Sequence, residues 1–205
     1  MNKKIFFTSG GTGGHIFPAV AMIKYLMSKN YEVLLATDTR GKKYLRDVID
    51  IQIYLLKTDT PINKSLLKKL PSYVKIITSI IKSLFILHKE KPDLVFGFGG
   101  YVSYPICLAS KILKIPLIIY ENNLVLGRTN KQLLPFASKL LIGTDYIINC
   151  AKKYKYKIKQ VGSILRDNII KFSSSEKKNF NNCFTIIVLG GSQGAEIFAD
   201  VVPKI

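Results

Sequence analysis

Near the start of the chain stands the segment Ile5-Phe6-Phe7-Thr8-Ser9-Gly10-Gly11-Thr12-Gly13-Gly14-His15-Ile16. Its short apolar run is typical of a strand buried on both faces, and the glycines that follow are typical of a tight turn. Apolar residues then recur at helical spacing over about 17–28. The segment therefore predicts one strand–turn–helix unit of an α/β domain.

The same alternation continues along the chain. Further strands are predicted at 33–36, 51–56, 94–96, 117–120 and 139–142, and helices at 42–48, 102–112 and 129–137. A long helical stretch, which we expect to be split at Pro71, lies between the third and fourth strands. This order predicts a Rossmann-like parallel sheet with helices on both faces, in which ligands bind beyond the carboxyl ends of the strands.

A second unit of the same kind begins near residue 184. Residues 184–189 predict a strand, Gly190-Gly191-Ser192-Gln193-Gly194 a turn, and Ala195 the start of a helix. We therefore expect an N-terminal domain at 1–162, a polar linker at 163–183, and the first β-α unit of a truncated second Rossmann-like domain at 184–205. A complete second domain would need roughly 100 or more further residues.

Composition narrows the function classes. The 31 Lys and Arg exceed the 13 Asp and Glu and give a net charge of +18, which favours an anionic partner, although a general lysine bias would produce the same excess. Three scattered cysteines and two histidines argue against a disulfide framework and a metal centre. We expect no signal peptide and no bilayer-spanning segment, because no apolar run reaches ~20 residues. No nucleic-acid recognition motif accompanies the charge, so no nucleic-acid partner is expected.

Three glycine clusters carry most of the chemical information. They are Gly10, Gly11, Gly13 and Gly14; Gly97, Gly99 and Gly100; and Gly190, Gly191 and Gly194. Each cluster follows an apolar run and precedes a helix, where free N–H groups and the positive helix end favour an anion such as phosphate. The structural alternative is that tight turns between strands and helices need glycine in any case. The P-loop lysine is absent, and Ile16 stands where a dinucleotide motif needs its third glycine.

These clusters also resemble a known family. Ser9-Gly10-Gly11-Thr12-Gly13-Gly14-His15-Ile16-Phe17-Pro18, then Gly97-Phe98-Gly99-Gly100-Tyr101-Val102-Ser103, then Gly190-Gly191-Ser192-Gln193-Gly194-Ala195 resemble, in this order, the three glycine loops of the MurG-type transferases of glycosyltransferase family 28. The resemblance implies a GT-B architecture, in which two Rossmann-like domains face a cleft. It also implies inverting transfer of N-acetylglucosamine from UDP-N-acetylglucosamine to the muramoyl 4-hydroxyl of lipid I, which forms lipid II for peptidoglycan, with no cofactor and no obligatory metal.

The resemblance further implies roles for individual residues. His15 is the candidate general base, or else a contact of the acceptor diphosphate. Thr12, Gly13 and Gly14 are expected at the donor and acceptor diphosphates, and Asn123 at the donor sugar. The other expected substrate contacts are Gly99, Gly100, Tyr101, Arg166, Gly191, Ser192 and Gln193, of which Arg166 and Ser192 would meet the donor phosphates.

The chain departs from the family pattern in two places. It has Ser163-Ile164 where the family usually has Asn-Pro. It also has Tyr120-Glu121-Asn122-Asn123 where the family usually has His-Glu-Gln-Asn. In this loop Glu121 is expected to orient loop residues or a sugar hydroxyl, and the structural alternative is that it caps a helix start.

Residues 74–87 are rich in Ile, Leu and Phe and are flanked by lysines. One interpretation is a helix packed into the core. The other is an interfacial surface that inserts apolar side chains shallowly while lysines meet anionic headgroups. A polyprenyl-linked substrate favours the second interpretation and a peripheral location on the cytoplasmic face of the bacterial inner membrane, where other cell-wall synthesis enzymes would be partners.

Two alternative functions remain open at this point. In the first, the chain is a non-catalytic domain that holds a lipid-linked diphosphate. In the second, it is a degenerate gene fragment. A Rossmann-type dehydrogenase is disfavoured, because the third glycine is missing and no acidic residue stands at the expected place after the second strand.

Overall fold

The computed structural model describes residues 3–45, 51–59, 66–173, 186–188, 190 and 196–204. By its internal contacts the chain divides into two compact units, 1–166 and 167–205. The domain and linker bounds given above stay predictions, since much of 163–205 lies outside the described residues.

The first unit is built on a seven-stranded sheet in which every neighbouring pair is parallel, in the order β3-β2-β1-β4-β5-β6-β7. The strands are β1 (Lys4–Thr8), β2 (Glu32–Thr37), β3 (Gln52–Leu55), β4 (Leu94–Gly97), β5 (Leu117–Glu121), β6 (Lys139–Ile142) and β7 (Ile158–Gln160). The predicted parallel α/β fold is therefore confirmed. All seven carboxyl ends point to the same edge of the sheet, which is where parallel sheets bind ligands.

Helices connect the strands. In the first unit they are α1 (Gly13–Met27), α2 (Thr39–Lys43), α3 (Leu66–Glu90), α4 (Ser103–Ile112), α5 (Arg128–Leu133) and a 3-10 helix over Lys152–Lys157. The second unit contains α6 (Asp167–Ser173), α7 (Glu196–Val201) and a 3-10 turn over Val202–Lys204.

Side chains alternate between two apolar cores, one on each face of the sheet. On β1, Phe6 packs in the core beneath α3, α4 and α5, whereas Phe7 packs in the core beneath α1. Both rings are fully buried. Burial on both faces explains why the central strands appear in the sequence as continuous apolar runs rather than as alternating ones.

One strand of the sheet was not predicted. The segment that ends in β7 is rich in lysine and does not predict a strand, but Ile158–Gln160 pairs with β6. Lys159 and Gln160 are exposed there. An edge strand with one partner needs little apolar sequence, because much of its surface stays in water.

Two predicted helix details were also wrong. α1 begins at Gly13 rather than near Phe17, because first-turn residues need no intrahelical acceptor and glycine is tolerated there. α3 is not split at Pro71 but runs through it. Pro71 lies within the first two turns, so it removes only one helical hydrogen bond near the end of a 25-residue helix.

In the second unit, a helix begins at Glu196, close to the predicted start at Ala195. Ile186–Val188, inside the predicted strand at 184–189, pair with no strand among the described residues. A strand requires a neighbour to accept its ladder hydrogen bonds, so an apolar run alone does not make one.

α3 carries polar side chains inward and apolar side chains outward over most of its length. Ser72, Ser79 and Ser83 are buried against the rest of the unit. The outward residues form what we call the apolar stripe, with exposed fractions between 48 and 73%: Leu70, Tyr73, Val74, Ile77, Ile81 and Phe85. Contrary to the sequence expectation, Leu70–Glu90 is long and apolar enough to cross a bilayer by length and composition. In the structure this helix lies on the sheet, with Ile86 and Leu87 in the core.

Lys157 is a buried cation with a structural role. Its Nζ donates to the carbonyl oxygens of Leu134, Pro135 and Ala137 at 3.1, 3.0 and 2.7 Å. These carbonyls follow the end of α5, where backbone oxygens have no helical donor. Burial and the nearby charge of Lys111 lower the pKa of Lys157.

We expect Lys157→Met to lower the free energy of unfolding by about 1–3 kcal/mol, because three carbonyls lose their donor and two of them, those of Leu134 and Ala137, are buried. Urea denaturation measures the change. Lys159→Met, at an exposed position two residues further on in β7, is the matched control and should change stability by less than about 0.5 kcal/mol. Equal effects of the two substitutions would show that the three hydrogen bonds do not stabilise the fold.

Candidate functional site

The candidate site lies where the strand order reverses. β1 and β4 are neighbours, but the chain continues from β1 toward β3 on one side and from β4 toward β7 on the other. Their following loops, residues 9–12 (loop 1) and 98–102 (loop 2), therefore leave a crevice between them, which is the usual ligand position in open parallel sheets.

The two loops are in direct backbone contact. Gly10 N donates to Gly99 O at 2.9 Å. A Cβ built on Gly10 would lie 2.7 Å from Gly100 Cα, and Gly99 and Gly100 have φ values of +84° and +80°. These glycines are needed for a close approach and for positive φ, so at Gly10, Gly99 and Gly100 the structural interpretation of the glycine clusters is correct.

Gly14 has a different environment. A Cβ built there would meet no atom within 4 Å. Thr12 is the N-cap of α1, yet its side chain makes no capping hydrogen bond. Within the described residues no acceptor is assigned to the N–H groups of Gly13 and Gly14. The start of α1 thus presents open space, unpaired donors and the positive end of a 15-residue helix, which together suit an anion.

His15 follows these donors on the first turn of α1 and packs against loop 2. A Cβ built on Gly99 would lie 3.1 Å from His15 Cε1. Burial lowers the pKa of His15 and outweighs the opposing effects of Glu121 and of the Phe98 backbone. The imidazole is therefore held neutral near pH 7, the form in which it can accept a proton.

Glu121, at the end of β5, organises the loop that follows it. Its Oε1 accepts from Asn123 N at 3.1 Å and Asn123 Nδ2 at 2.9 Å, and its Oε2 accepts from Gly127 N at 2.9 Å and Asn130 Nδ2 at 3.0 Å. The carboxylate is almost fully buried. Glu121 therefore orients the residues of its loop, which is one of the roles expected for it.

Asn123 and Asn130 are both oriented by this carboxylate. Asn123 is exposed, and its amide nitrogen donates to Glu121, which leaves its Oδ1 as the acceptor available to a ligand. Asn130 donates through Nδ2 to both Tyr120 O and Glu121 Oε2, and its buried Oδ1 has no hydrogen-bond partner among the described residues. A buried carbonyl oxygen without a donor marks a place where a ligand hydroxyl could bind.

A cleft of about 270 Å³ brings several of these groups together. It is lined by His15, Gly99, Gly100, Tyr101, Glu121, Gly127, Arg128, Thr129 and Asn130. Four predicted site residues, His15, Gly99, Gly100 and Tyr101, thus share one cavity. Asn130 and Arg128 were missed as individual site residues, although the sequence Gly127-Arg128-Thr129-Asn130 resembles the family's loop after the fifth strand.

Arg166 stacks on a ring of α1 outside the cleft. Its guanidinium carbon is 4.2 Å from the centre of the Phe17 ring. This stacking places an exposed cation within one turn of His15 along α1, although Arg166 does not line the cleft.

The residues at the two departures from the family pattern, Tyr120 and Ile164, are hydrogen-bonded to each other. Tyr120 OH accepts from Ile164 N at 3.1 Å and donates to Asn122 Oδ1 at 2.9 Å. A proline at 164 would have no N–H to donate. The isoleucine and the tyrosine therefore form a hydrogen bond that the usual family residues at these positions could not form in this way.

Three predicted contacts, Gly191, Ser192 and Gln193, lie outside the described residues and stay predictions. Among the described residues, no three His, Cys, Asp or Glu side chains are grouped as metal ligands would be.

This parallel Rossmann-like domain, with glycine loops that meet at its topological switch point, has the architecture of the N-terminal half of a GT-B glycosyltransferase. The model of the glycosyltransferase family 28 N-terminal domain matches residues 5–142, and the chain belongs to this family.

Curated relatives carry a specific activity in their names. The chain is 37% identical over 206 residues to a protein of Pelagibacter ubique (strain HTCC1062) and 36% identical over 201 residues to one of Rickettsia canadensis (strain McKiel). Both are named UDP-N-acetylglucosamine--N-acetylmuramyl-(pentapeptide) pyrophosphoryl-undecaprenol N-acetylglucosamine transferase. The alignments cover 98% of this chain but 55% of each relative, so the chain spans about half the length of the curated relatives it matches.

Solved structures agree on the fold. The crystal structure of MurG from Acinetobacter baumannii superposes with a TM-score of 0.67 at 27% identity, covering 85% of this chain and 50% of that one. A Staphylococcus aureus MnaA–UDP structure has a TM-score of 0.59 at 18% identity, which shows a shared fold alone.

The two kinds of glycine should respond differently to alanine. Gly10→Ala places a methyl group against Gly100 Cα and should lower the free energy of unfolding by about 1–3 kcal/mol. Gly14→Ala should change it by less than about 1 kcal/mol and instead weaken binding of inorganic pyrophosphate about tenfold. Urea denaturation and isothermal titration measure these effects. Equal destabilisation by both substitutions, or undiminished pyrophosphate binding in Gly14→Ala, would contradict the distinction.

Proposed function

We propose that this chain is the acceptor-binding part of an enzyme that transfers N-acetylglucosamine from UDP-N-acetylglucosamine to the muramoyl 4-hydroxyl of an undecaprenyl-diphosphate-linked pentapeptide, with inversion. The observation that carries the proposal is a neutral His15 beside the unpaired amides at the start of α1. The names of the curated relatives supply the substrates.

The site residues divide the chemistry between them. The N–H groups of Gly13 and Gly14, with the positive end of α1, hold a diphosphate. His15 accepts the proton of the attacking hydroxyl. The hydroxyl oxygen then bonds to the anomeric carbon of the donor sugar while the bond from that carbon to UDP breaks. Asn123 contacts the donor sugar. Arg166 and Ser192 bind the donor phosphates, where the planar guanidinium suits two phosphate oxygens.

A second candidate function is binding of the lipid-linked diphosphate without transfer. It is supported by the position of loop 1, loop 2 and His15 within the first unit, which needs nothing from the second unit to form these contacts. The two functions predict different results for a sugar-transfer assay in which the chain is joined to a complete donor domain.

We expect a chimera of this chain with the C-terminal domain of the Pelagibacter ubique relative to transfer N-acetylglucosamine to a lipid I analogue.

In this chimera, His15→Asn should lower kcat by about 10²–10⁴ with a smaller change in KM, because a general base acts on the chemical step. Because burial lowers the pKa of His15, the wild-type rate should be lost only as pH falls through a value below 6.5, and that limb should vanish in His15→Asn.

His88→Asn, at an exposed histidine near the end of α3, is the matched control and should leave the rate unchanged. A folded chimera that binds UDP-N-acetylglucosamine and pyrophosphate but transfers nothing would favour the binding function. A rate insensitive to His15→Asn would remove this residue as the base.

We further propose that the protein docks peripherally on the anionic cytoplasmic face of the inner membrane through the apolar stripe of α3. The stripe is exposed along most of the helix, and Lys75, Lys82 and Lys89 are exposed beside it. Apolar insertion flanked by lysines is the arrangement of an interfacial helix. A substrate with an undecaprenyl chain remains in the bilayer, which requires its enzyme to reach that surface.

The chain should bind vesicles that contain phosphatidylglycerol, and binding should weaken as salt rises. The double substitution Ile81→Ser and Phe85→Ser should reduce vesicle affinity at least about tenfold, because two exposed apolar side chains no longer insert. Tyr25→Ser removes a comparably exposed ring from α1, on the other face of the sheet, and should have little effect. Co-sedimentation measures both. Absence of binding at low salt would end the docking proposal.

A further inference from the structure

A second cavity of about 310 Å³ lies beside the cleft that contains His15. It is lined by Thr58, Asp59, Tyr73, Ile76, Ile80, Tyr101, Tyr104, Arg128, Thr129 and Gln132. Tyr101, Arg128 and Thr129 line both cavities. At its other side the cavity includes Tyr73, which belongs to the apolar stripe of α3. The cavity thus connects the stripe to the candidate catalytic cleft.

The lining of this connecting cavity is mostly apolar. Ile76 and Ile80 project from α3, and Tyr73, Tyr101 and Tyr104 contribute rings. Asp59 is its acidic residue, and that carboxylate already accepts from Ser72 Oγ at 3.1 Å and lies 3.7 Å from Lys75 Nζ. Its charge is therefore largely compensated, and the apolar part of the lining consists of the sec-butyl groups of Ile76 and Ile80 and the three tyrosine rings.

Arg128 stands at the junction of the two cavities. It is exposed, and no acidic side chain lies within ion-pair distance of it in the part of the chain that the structure describes. A guanidinium in this position suits a phosphate located between the cleft and the connecting cavity. Charge at one end and apolar lining at the other match an amphiphile with a phosphorylated head and a hydrocarbon tail.

We propose that the connecting cavity binds the first isoprene units of the lipid carrier, next to its diphosphate, and guides the chain from the cleft to the apolar stripe. This inference rests on the proposed function, whose acceptor is a polyprenyl diphosphate. The volume is at the lower end of the range for small-molecule sites, roughly 300–1,000 Å³, so the cavity takes a short segment and the rest of the chain continues along the stripe.

The peptide of the acceptor is a poorer occupant. Its carboxylates would need several cations, whereas among the described residues Arg128 is the cation that lines the connecting cavity. A larger neighbouring cleft of about 1010 Å³, lined in part by Arg40, Lys57 and Lys82, provides more basic groups. The chemistry of the two cavities thus assigns hydrocarbon to the smaller one.

The test compares geranyl diphosphate with inorganic pyrophosphate on the full 205-residue chain by isothermal titration. Geranyl diphosphate should bind at least about tenfold more tightly, because its hydrocarbon leaves water. Ile80→Ser should abolish this difference while leaving pyrophosphate affinity unchanged, which also shows that the variant is folded. Ile77→Ser, one turn earlier on the exposed stripe and outside the cavity, is the matched control and should keep the difference.

A reporter locates the ligand. The chain has no tryptophan, so Tyr104→Trp gives a single emission that should shift to the blue with geranyl diphosphate and not with pyrophosphate. Equal affinities for the two ligands, or a difference lost in Ile77→Ser rather than in Ile80→Ser, would overturn the inference. So would a peptide lacking a prenyl chain that shifts the same emission.

These results separate the inference from the proposed function. Pyrophosphate binding that depends on Gly14, without any gain from the prenyl chain, refutes the connecting cavity and leaves the transferase proposal intact. A prenyl gain that depends on Ile80, in a chimera that transfers no sugar, supports the cavity and counts against the transferase.

Discussion

The backbones of loops 1 and 2 touch at Gly10 and Gly100, where the missing side chains allow Gly10 N to reach Gly99 O at 2.9 Å. These residues are about 90 positions apart in the chain, and their contact exists because β1 and β4 are neighbours at the switch point of the sheet. The approach brings the His15 ring against Gly99 and leaves the Gly14 side of α1 open. A side chain at either contact glycine would separate the loops and move the imidazole away from the cleft.

Around this contact, buried polar groups are held by several partners each, which fixes the loop after β5. Glu121 receives four N–H donors, and Tyr120 links Asn122 to Ile164. Apart from Asn130 Oδ1, the buried side-chain polar atoms of this loop have partners among the described residues. Such a network is rigid, and the proposed sugar transfer needs rigid groups to orient its ligands. The two departures from the family pattern belong to one hydrogen bond, so they read as a coupled replacement rather than as two independent losses.

α3 has an unusual distribution of side chains, with serines facing the rest of the unit and apolar residues facing outward. Its inward serines are bonded, with Ser79 Oγ donating to Lys57 O and Ser83 Oγ to Ser79 O, so burying them costs little. The apolar residues that would normally fill a core remain outside, on the same helix that forms one wall of the connecting cavity. A water-exposed stripe of this size is unfavourable unless something apolar covers it, which is why a bilayer and a prenyl chain are the proposed occupants.

The local sequence pattern alone predicted the class of fold, six of the seven strands, and the glycine loops with His15. It could do so because strands and tight turns depend on the residue types of adjacent positions. The same pattern gave no sign of β7 in its lysine-rich segment and wrongly divided α3 at Pro71. It also could not separate Gly10, which is needed for packing, from Gly14, which faces open space, since both stand in one cluster. Nor could it assign Asn130 and Arg128 to the cleft, or decide between a core-packed and an exposed apolar face for α3. These features depend on which distant segments the sheet order brings together, and that order is set by the packing of the whole unit rather than by any one segment.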